Sequence, residues 1–194
     1  VAEFKDKTTG GHISRIDNYT KALALELGIP PDQALLWGKA SRLHDVGKIG
    51  VPDALLQKEG KLTPDEFSEI RKHTHIGASI LNHDTFMAMA REVAYSHHER
   101  WDGKGYPEGR HSRDLSLLTR IVSVVDVFDA LMSPRPYKDA WPLEQAEAEI
   151  AAGAGTQFDP TVVEAFLKML RRGDFNEHIE SSRAGTNLRP GKAG

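Results

Sequence analysis

The stretch "LSLLTRIVSVVDVFDALM", Leu115 to Met132, decides the fold class. It is apolar almost all round, so it must be buried on every side. Its valines and isoleucine would suit a strand. Its length, and the absence of any other strand-like run to pair with, predict a central helix instead. Inside it sits Asp126, flanked by Val124, Val125, Val127 and Phe128. A buried carboxylate needs a cation or strong donors. Two readings stand at this point: an ion pair with Arg120 or Arg15, or a metal ion.

The flanking sequence carries the helical period outward. His12, Ile16, Tyr19, Leu23 and Leu27 share one face of a helix that stops at Gly28 and the Pro30-Pro31 pair. From about Asp32 a second stripe runs through Leu36, Trp37, Ala40, Leu43 and His44, with Gly47 as its stop. "LTPDEF" reads as a capped start: Thr63 as N-cap, Pro64 at the first helical position, Glu66 closing a capping box. Phe67, Ile70 and His73 lie near one face; Phe86, Ala90, Val93 and His97 form another, with Ala94 and His98 beside it. "FDPTVVEAFLKMLRRG" is a last helix, capped by Asp159 and ended by Gly173. The expected fold is all-α, a single compact helical domain over residues 1–175. A polar, flexible tail follows over 176–194.

Composition narrows the function. The chain has 194 residues and a formal charge of -3, which argues against a sequence-independent binder of nucleic-acid polymers. It has no cysteine, hence no disulfide framework and no thiolate metal site. No apolar run reaches membrane-spanning length and no signal-peptide pattern opens the chain, so a cytoplasmic protein is expected. It starts at Val1, close to a polar motif, and reads as a piece of something longer, with room for an upstream sensor or receiver domain.

The histidines carry the chemistry. His12, His44, His73, His97 and His98 each continue a hydrophobic stripe. One such histidine is ordinarily a hydrogen-bonded core residue. Five, with carboxylates in similar settings, would each need a buried partner at a cost of a few kcal/mol if none were found. A shared metal centre removes that cost for all of them. Asp45 follows His44 near a helix C-terminus, where the dipole disfavours negative charge; a surface pair with Lys48 is the alternative. Imidazole plus carboxylate without thiolate suits Fe, Mn, Zn, Ni or Co, and this many ligands allows two adjacent ions. Two such ions can share a hydroxide and clamp the oxygens of an in-line phosphoryl displacement.

"YSHHERWDGKGYP", Tyr95 to Pro107, fits that use. Successive helical residues point about 100° apart, so His97 and His98 reach one ion only if the helix loosens there. Gly103 and Gly105 permit unusual backbone angles, and the loop reads as a lid beside the metals. "GKG" lacks the spacing of a phosphate-cradling P-loop.

"HDVGKIGVPD" (44–53) and "HHERWDGKGYP" (97–107) resemble the two signatures of the HD-GYP family, cyclic di-GMP phosphodiesterases within the HD metallohydrolase superfamily. The resemblance continues through "TGGHISR", "LLQKEGKLTPDE", "RIVSVVDVFDALMSPRPYK" and "GTQFDP", from Thr9 to about Leu170. It implies a metal-dependent enzyme that hydrolyses cyclic di-GMP by a hydroxide bridging two divalent ions, Fe foremost, with Mn, Ni or Zn as alternatives. It implies metal ligands at His12, His44, Asp45, His73, His97, His98 and Asp126, with Asp45 bridging. His12, His44 and Asp126 would hold one ion; His73, His97 and His98 the other. Asp45 and Lys48 would be catalytic. Lys48, Tyr106, Arg135 and Lys138 would contact substrate, with Tyr106 and Pro107 shaping the lid.

Asp129, Glu99 and Asp102 would stand behind these; Glu99 and Asp102 are equally read as fixing the loop, and a solvated side chain is the alternative for Lys48, Arg135 and Lys138. His75 and His83 are assigned to the surface. The resemblance departs at Thr8, where many members carry a glutamate that helps hold a third metal. Two ions and a linear pGpG product are therefore expected. The rival readings are a preference for pGpG or another cyclic dinucleotide, and a weakly active cyclic di-GMP receptor or docking module. A homodimer is compatible with all of them.

Overall fold

The computed structural model describes residues 11–81, 85–134, 140–176 and 179–180. Nine helices follow in order among the described residues: α1 (His12–Glu26), α2 (Pro31–Ser41), α3 (Asp53–Leu56), α4 (Pro64–Arg71), α5 (His73–Ile80), α6 (Thr85–Ser96), α7 (Leu117–Met132), α8 (Leu143–Ala152) and α9 (Pro160–Arg172). Short 3₁₀ turns occupy Val46–Gly50 and Ser112–Asp114. No strand is present among the described residues, only isolated bridges at Asp102–His111 and Ala154–Phe158. None of the described helices is long and apolar enough to cross a membrane.

The local signals act as expected. Glu66 N–H donates to Thr63 Oγ1 while Thr63 N–H donates to the Glu66 carboxylate, closing the capping box of α4. Asp159 accepts from Thr161 N–H at the start of α9, and Gly173 ends that helix at φ 86°, a left-handed conformation that glycine adopts without steric cost.

The stretch Leu115 to Met132 becomes α7 from Leu117, capped by Ser116, and it is the core of the molecule. Ile121, Val122, Val124, Val125, Phe128 and Met132 are fully buried. Tyr19 of α1 meets Phe128 and Phe175 edge-on, and Phe166 of α9 meets Phe128 edge-on and stacks on Phe175. Such aromatic pairs add about 0.5–1.5 kcal/mol each beyond their burial.

The structure corrects three local expectations. The second helix ends at Ser41, not near Gly47; Leu36 is 42% exposed while Ala34, Trp37 and Ala40 carry the buried face. Leu43 and His44 belong to the turn beyond. Phe67 and His73 do not share one helix, because α4 stops at Arg71 and α5 begins at His73. The packed chain also runs past 175: Ile179 is buried against the core, beyond the start expected for the polar tail. Residues 181–194 lie outside the described residues, as do Thr8, His83, Arg135 and Lys138.

Candidate metal centre

The candidate ligands come from five separate parts of the chain. His12 opens α1, His44 and Asp45 occupy the turn after α2, His73 opens α5, His97 and His98 follow α6, and Asp126 lies within α7. Glycine makes the closest approach possible. A Cβ on Gly47 would overlap the His73 carbonyl oxygen and Gly77 N, so only glycine lets the 3₁₀ turn lie flat against α5. That contact brings Asp45 Oδ1 to 3.5 Å from His73 Nε2. Helix α6 stops at Ser96, and the turn that follows sets the His97 and His98 rings side by side, 4.0 Å apart at 43°. The loosening expected at this helix end is what lets both rings face one point.

Two groups of ligand atoms result, each lying within 4.8 Å of one another: Asp45, His73, His97 and His98; and His12, His44 and Asp126. Asp45 connects them. Its Oδ1 stands 3.5 Å from His73 Nε2 and 3.6 Å from His97 Nε2, and its Oδ2 stands 3.5 Å from His44 Nε2.

The hydrogen bonds behind the rings determine which nitrogen is free. His44, His73 and His97 each direct Nδ1 at a backbone carbonyl, of Ser41, Ile70 and Val93, at 2.7–3.0 Å. A carbonyl only accepts, so each Nδ1 carries a proton and Nε2 is the nitrogen left to face a metal ion. His12 Nδ1 likewise meets Asp129 Oδ2 at 2.7 Å, and Asp129 is clamped by Arg15 through Nε at 2.5 Å and Nη2 at 3.0 Å. Such a carboxylate–histidine pairing fixes the orientation of the ring, as it does for imidazoles that ligate metals.

The donor set fits divalent metal. The Nε2 atoms of His44, His73 and His97 and Oδ1 of Asp45 are buried with no hydrogen-bond partner among the described residues. Lone pairs of nitrogen and carboxylate oxygen face one another at about 3.5 Å, an arrangement that repels unless a positive charge sits between them. Neither arginine proposed as a partner for Asp126 serves it: Arg15 is committed to Asp129 and Arg120 Nη1 bonds Asp159 at 2.7 Å.

The protonation equilibria express the same need. Burial opposes a charge on His44, but Asp45 and Asp126 outweigh it and raise its pKa to about 10 in the metal-free protein. There a proton supplies the missing cation. Burial lowers His73 to about 4 and His98 well below the usual imidazole value, so both remain neutral, as ligands must be. Burial works against ionised Asp45, yet Lys48 and His44 hold its carboxyl well below the usual range.

Lys48 Nζ lies 2.6 Å from Asp45 Oδ2. Tyr106 stacks on His98 at 4.7 Å, and burial, with the Asp45 charge, pushes its phenol up, so it remains a neutral donor. A cavity of about 240 Å³ opens here, lined by His97, His98 and Asp126 together with Tyr106, Arg100 and Lys104.

Glu99 and Asp102 do not join the ligand groups; both organise the loop. The buried Glu99 carboxylate accepts from the backbone N–H groups of Glu108, Gly109 and Arg110 at 2.8–3.1 Å. Asp102 pairs bidentately with Arg100 and accepts from Lys104 N–H. The loop is also tied to 156–157, where Trp101 and Asp102 N–H donate to the Gln157 and Thr156 carbonyls. Each charge-assisted bond is worth about 1.5–3 kcal/mol. Glu99→Gln is therefore expected to speed hydrogen exchange at the Glu108, Gly109 and Arg110 amides by about tenfold or more. Unchanged protection at those amides would show that the loop is held by other means.

His75 is exposed, beside Tyr95 and outside both groups. The reading of the sequence missed Arg71. Its guanidinium lies over the rings of Phe67 and Tyr106, at 4.5 and 4.6 Å. The i,i+4 spacing from Phe67 was a legible signal for one of those contacts; nothing local announced Tyr106.

The chain is 43% identical over 182 residues to a cyclic di-GMP phosphodiesterase of Vibrio cholerae, covering 86% of this chain and 37% of that one. It is 41% identical over 170 residues to 3'3'-cGAMP-specific phosphodiesterase 2 of the same organism, covering 87% of this chain and 33% of that one. The chain thus spans well under half the length of these curated relatives. Among solved structures it resembles an HDG"Y"P protein from Bdellovibrio bacteriovorus, with a TM-score of 0.68 at 23% identity over 86% of this chain and 53% of that one. Residues 1–162 match the sequence profile of the HD domain, and the chain belongs to the HD domain family.

Proposed function

We propose that this chain is an HD-GYP phosphodiesterase domain that hydrolyses cyclic di-GMP, mainly to linear pGpG, at a centre of two divalent metal ions. One observation carries the proposal: two groups of buried and half-buried ligand residues, several of their atoms without hydrogen-bond partners among the described residues, joined by the single carboxylate of Asp45. His73, His97 and His98 would hold one ion, His12, His44 and Asp126 the other, and Asp45 both.

Bound divalent ions supply Lewis acidity and lower the pKa of water to near neutrality. The rest is the work of the chain. Backbone carbonyls and Asp129 keep the imidazoles in the tautomer that presents Nε2. Lys48 places a cation against Asp45 beside the cavity, where it can meet charge that develops on phosphoryl oxygen. The Tyr106 hydroxyl remains protonated and able to donate to a phosphate. Arg135 and Lys138 are proposed as further phosphate contacts, and Fe as the metal, on the family resemblance alone. The expected pGpG product rests on Thr8 in place of a glutamate. A cytoplasmic enzyme under an upstream sensor or receiver domain accords with this role.

A second reading, hydrolysis of 3'3'-cGAMP, is favoured by the relative that carries that name. The test is elemental analysis of anaerobically purified protein, coupled to chromatography of products from cyclic di-GMP, pGpG and 3'3'-cGAMP. The expected result is about two metal ions per chain and accumulation of pGpG from cyclic di-GMP. Faster turnover of 3'3'-cGAMP would select the second reading. Metal-loaded protein that binds cyclic di-GMP and hydrolyses nothing would select a receptor.

A further inference from the structure

The proposed chemistry explains how a phosphodiester is cut. It leaves open how the site tells one base from another, and the named relatives differ on that point. Five metal-facing histidines and Lys48 address phosphate; none of them reads a base.

Arg71, the last residue of α4, lines the same cavity as His97, His98 and Asp126. Its guanidinium rests against the Phe67 ring at 4.5 Å and the Tyr106 ring at 4.6 Å, and those two rings meet edge to face. Two aromatic contacts restrict the plane of the guanidinium without using its N–H groups. No carboxylate or carbonyl among the described residues accepts from it, whereas the neighbouring Arg100 spends its fork on Asp102. Arg71 therefore offers an oriented, unspent pair of donors at the wall of the cavity. Phe67 is 40% exposed and adds an aromatic face beside it. Stacking on an aromatic ring accepts any base; the donor fork does not.

We infer that Arg71, held by Phe67 and Tyr106, forms a guanine-binding subsite that gives this domain a preference for guanine over adenine. Guanine presents two acceptors, O6 and N7, on one edge, which match the paired donors of a guanidinium. Adenine places an amino donor where O6 would be, and it would face the Arg71 N–H groups donor to donor. The cavity, at about 240 Å³, is smaller than the roughly 300–1,000 Å³ of pockets that enclose a whole ligand, and it suits one nucleoside end of a dinucleotide. This inference deepens the proposed function and rests on it for the ligand class.

The experiment measures equilibrium binding of the bis-guanine and bis-adenine cyclic dinucleotides by calorimetry, with hydrolysis of each read in parallel, for wild type, Arg71→Ala and Arg71→Lys. Wild type is expected to bind the guanine form at least about tenfold more tightly. Arg71→Ala is expected to reduce that ratio to near one. Arg71→Lys retains the charge without the planar fork; it is expected to keep most of the affinity for the adenine form while losing most of the discrimination. A wild-type preference for adenine, which Gln157 in the same cavity could supply, would overturn the subsite. So would absence of binding, or a ratio unchanged in both variants. If the ratio collapses in Arg71→Ala but wild type hydrolyses neither compound, the catalytic proposal fails and the base subsite stands. If hydrolysis proceeds with the ratio unchanged, the subsite fails and the catalytic proposal stands.

Discussion

Asp45→Asn is expected to strip the centre of metal and to lower phosphodiester hydrolysis by more than about 100-fold. Losing an outer-shell partner of a metal ligand already costs about 10–100-fold in affinity or activity. Asp45 is placed to do more, because its two oxygens face His44 on one side and His73 and His97 on the other. An asparagine offers one carbonyl oxygen and turns a neutral amide toward the second group.

The metal-free protein is also expected to lose stability. There the Asp45 carboxylate has Lys48 Nζ at 2.6 Å and helps to raise the His44 pKa to about 10. A neutral amide takes the negative charge from both cations, so the metal-free variant is expected to melt below wild type. Elemental analysis and thermal melting of both proteins, with and without chelator, make the check. Full metal occupancy and wild-type rates in Asp45→Asn would remove Asp45 from the centre.

Asp129→Ala is expected to be the most destabilising single change at the site. The Asp129 carboxylate is 1% exposed and bonds Arg15, itself 3% exposed, and His12. Its removal breaks the buried Arg15–Asp129 pair, at a cost of about 3–5 kcal/mol. For a chain of this size that lowers Tm by about 6–20 °C. The change also frees the His12 ring, so metal affinity is expected to fall by about 10–100-fold. Urea unfolding of the metal-free protein isolates the first effect, and metal titration of the folded protein isolates the second. A loss of stability with unchanged metal affinity would make Asp129 a partner of Arg15 alone. Asp129→Asn, which retains an acceptor, is expected to lie between the two.

How far the chain could be read depended on the range of each signal. The capping box at Thr63 and Glu66, the Asp159 cap and the Gly173 stop are made within three or four residues, and each was legible. The apolar stripes gave α1, α6, α7 and α9 correctly. The stop of α2 was misplaced because Leu43 and His44 continue an apolar pattern into a turn that a period cannot distinguish from one more helical turn. The break at Lys72, between α4 and α5, carries neither proline nor glycine and had no local marker.

The candidate ligand histidines stood out because imidazoles on apolar faces are chemically out of place, a property visible residue by residue. The sorting into two groups came from the family resemblance, not from spacing. His44 and His73 are far apart in the chain, and so are Arg15 and Asp129, which meet across 114 positions.

Elements, caps and the inventory of buried imidazoles and carboxylates were thus contained in the chain, since period and capping act over one or two helical turns. The assembly was not. Which Nε2 atoms face one carboxylate, that Arg15 serves Asp129 and not Asp126, and that Arg71 rests on Tyr106 all depend on how helices distant in sequence lie against α7. Those contacts are set to within an ångström by packing, through glycines such as Gly47, and close packing is a property of the whole fold.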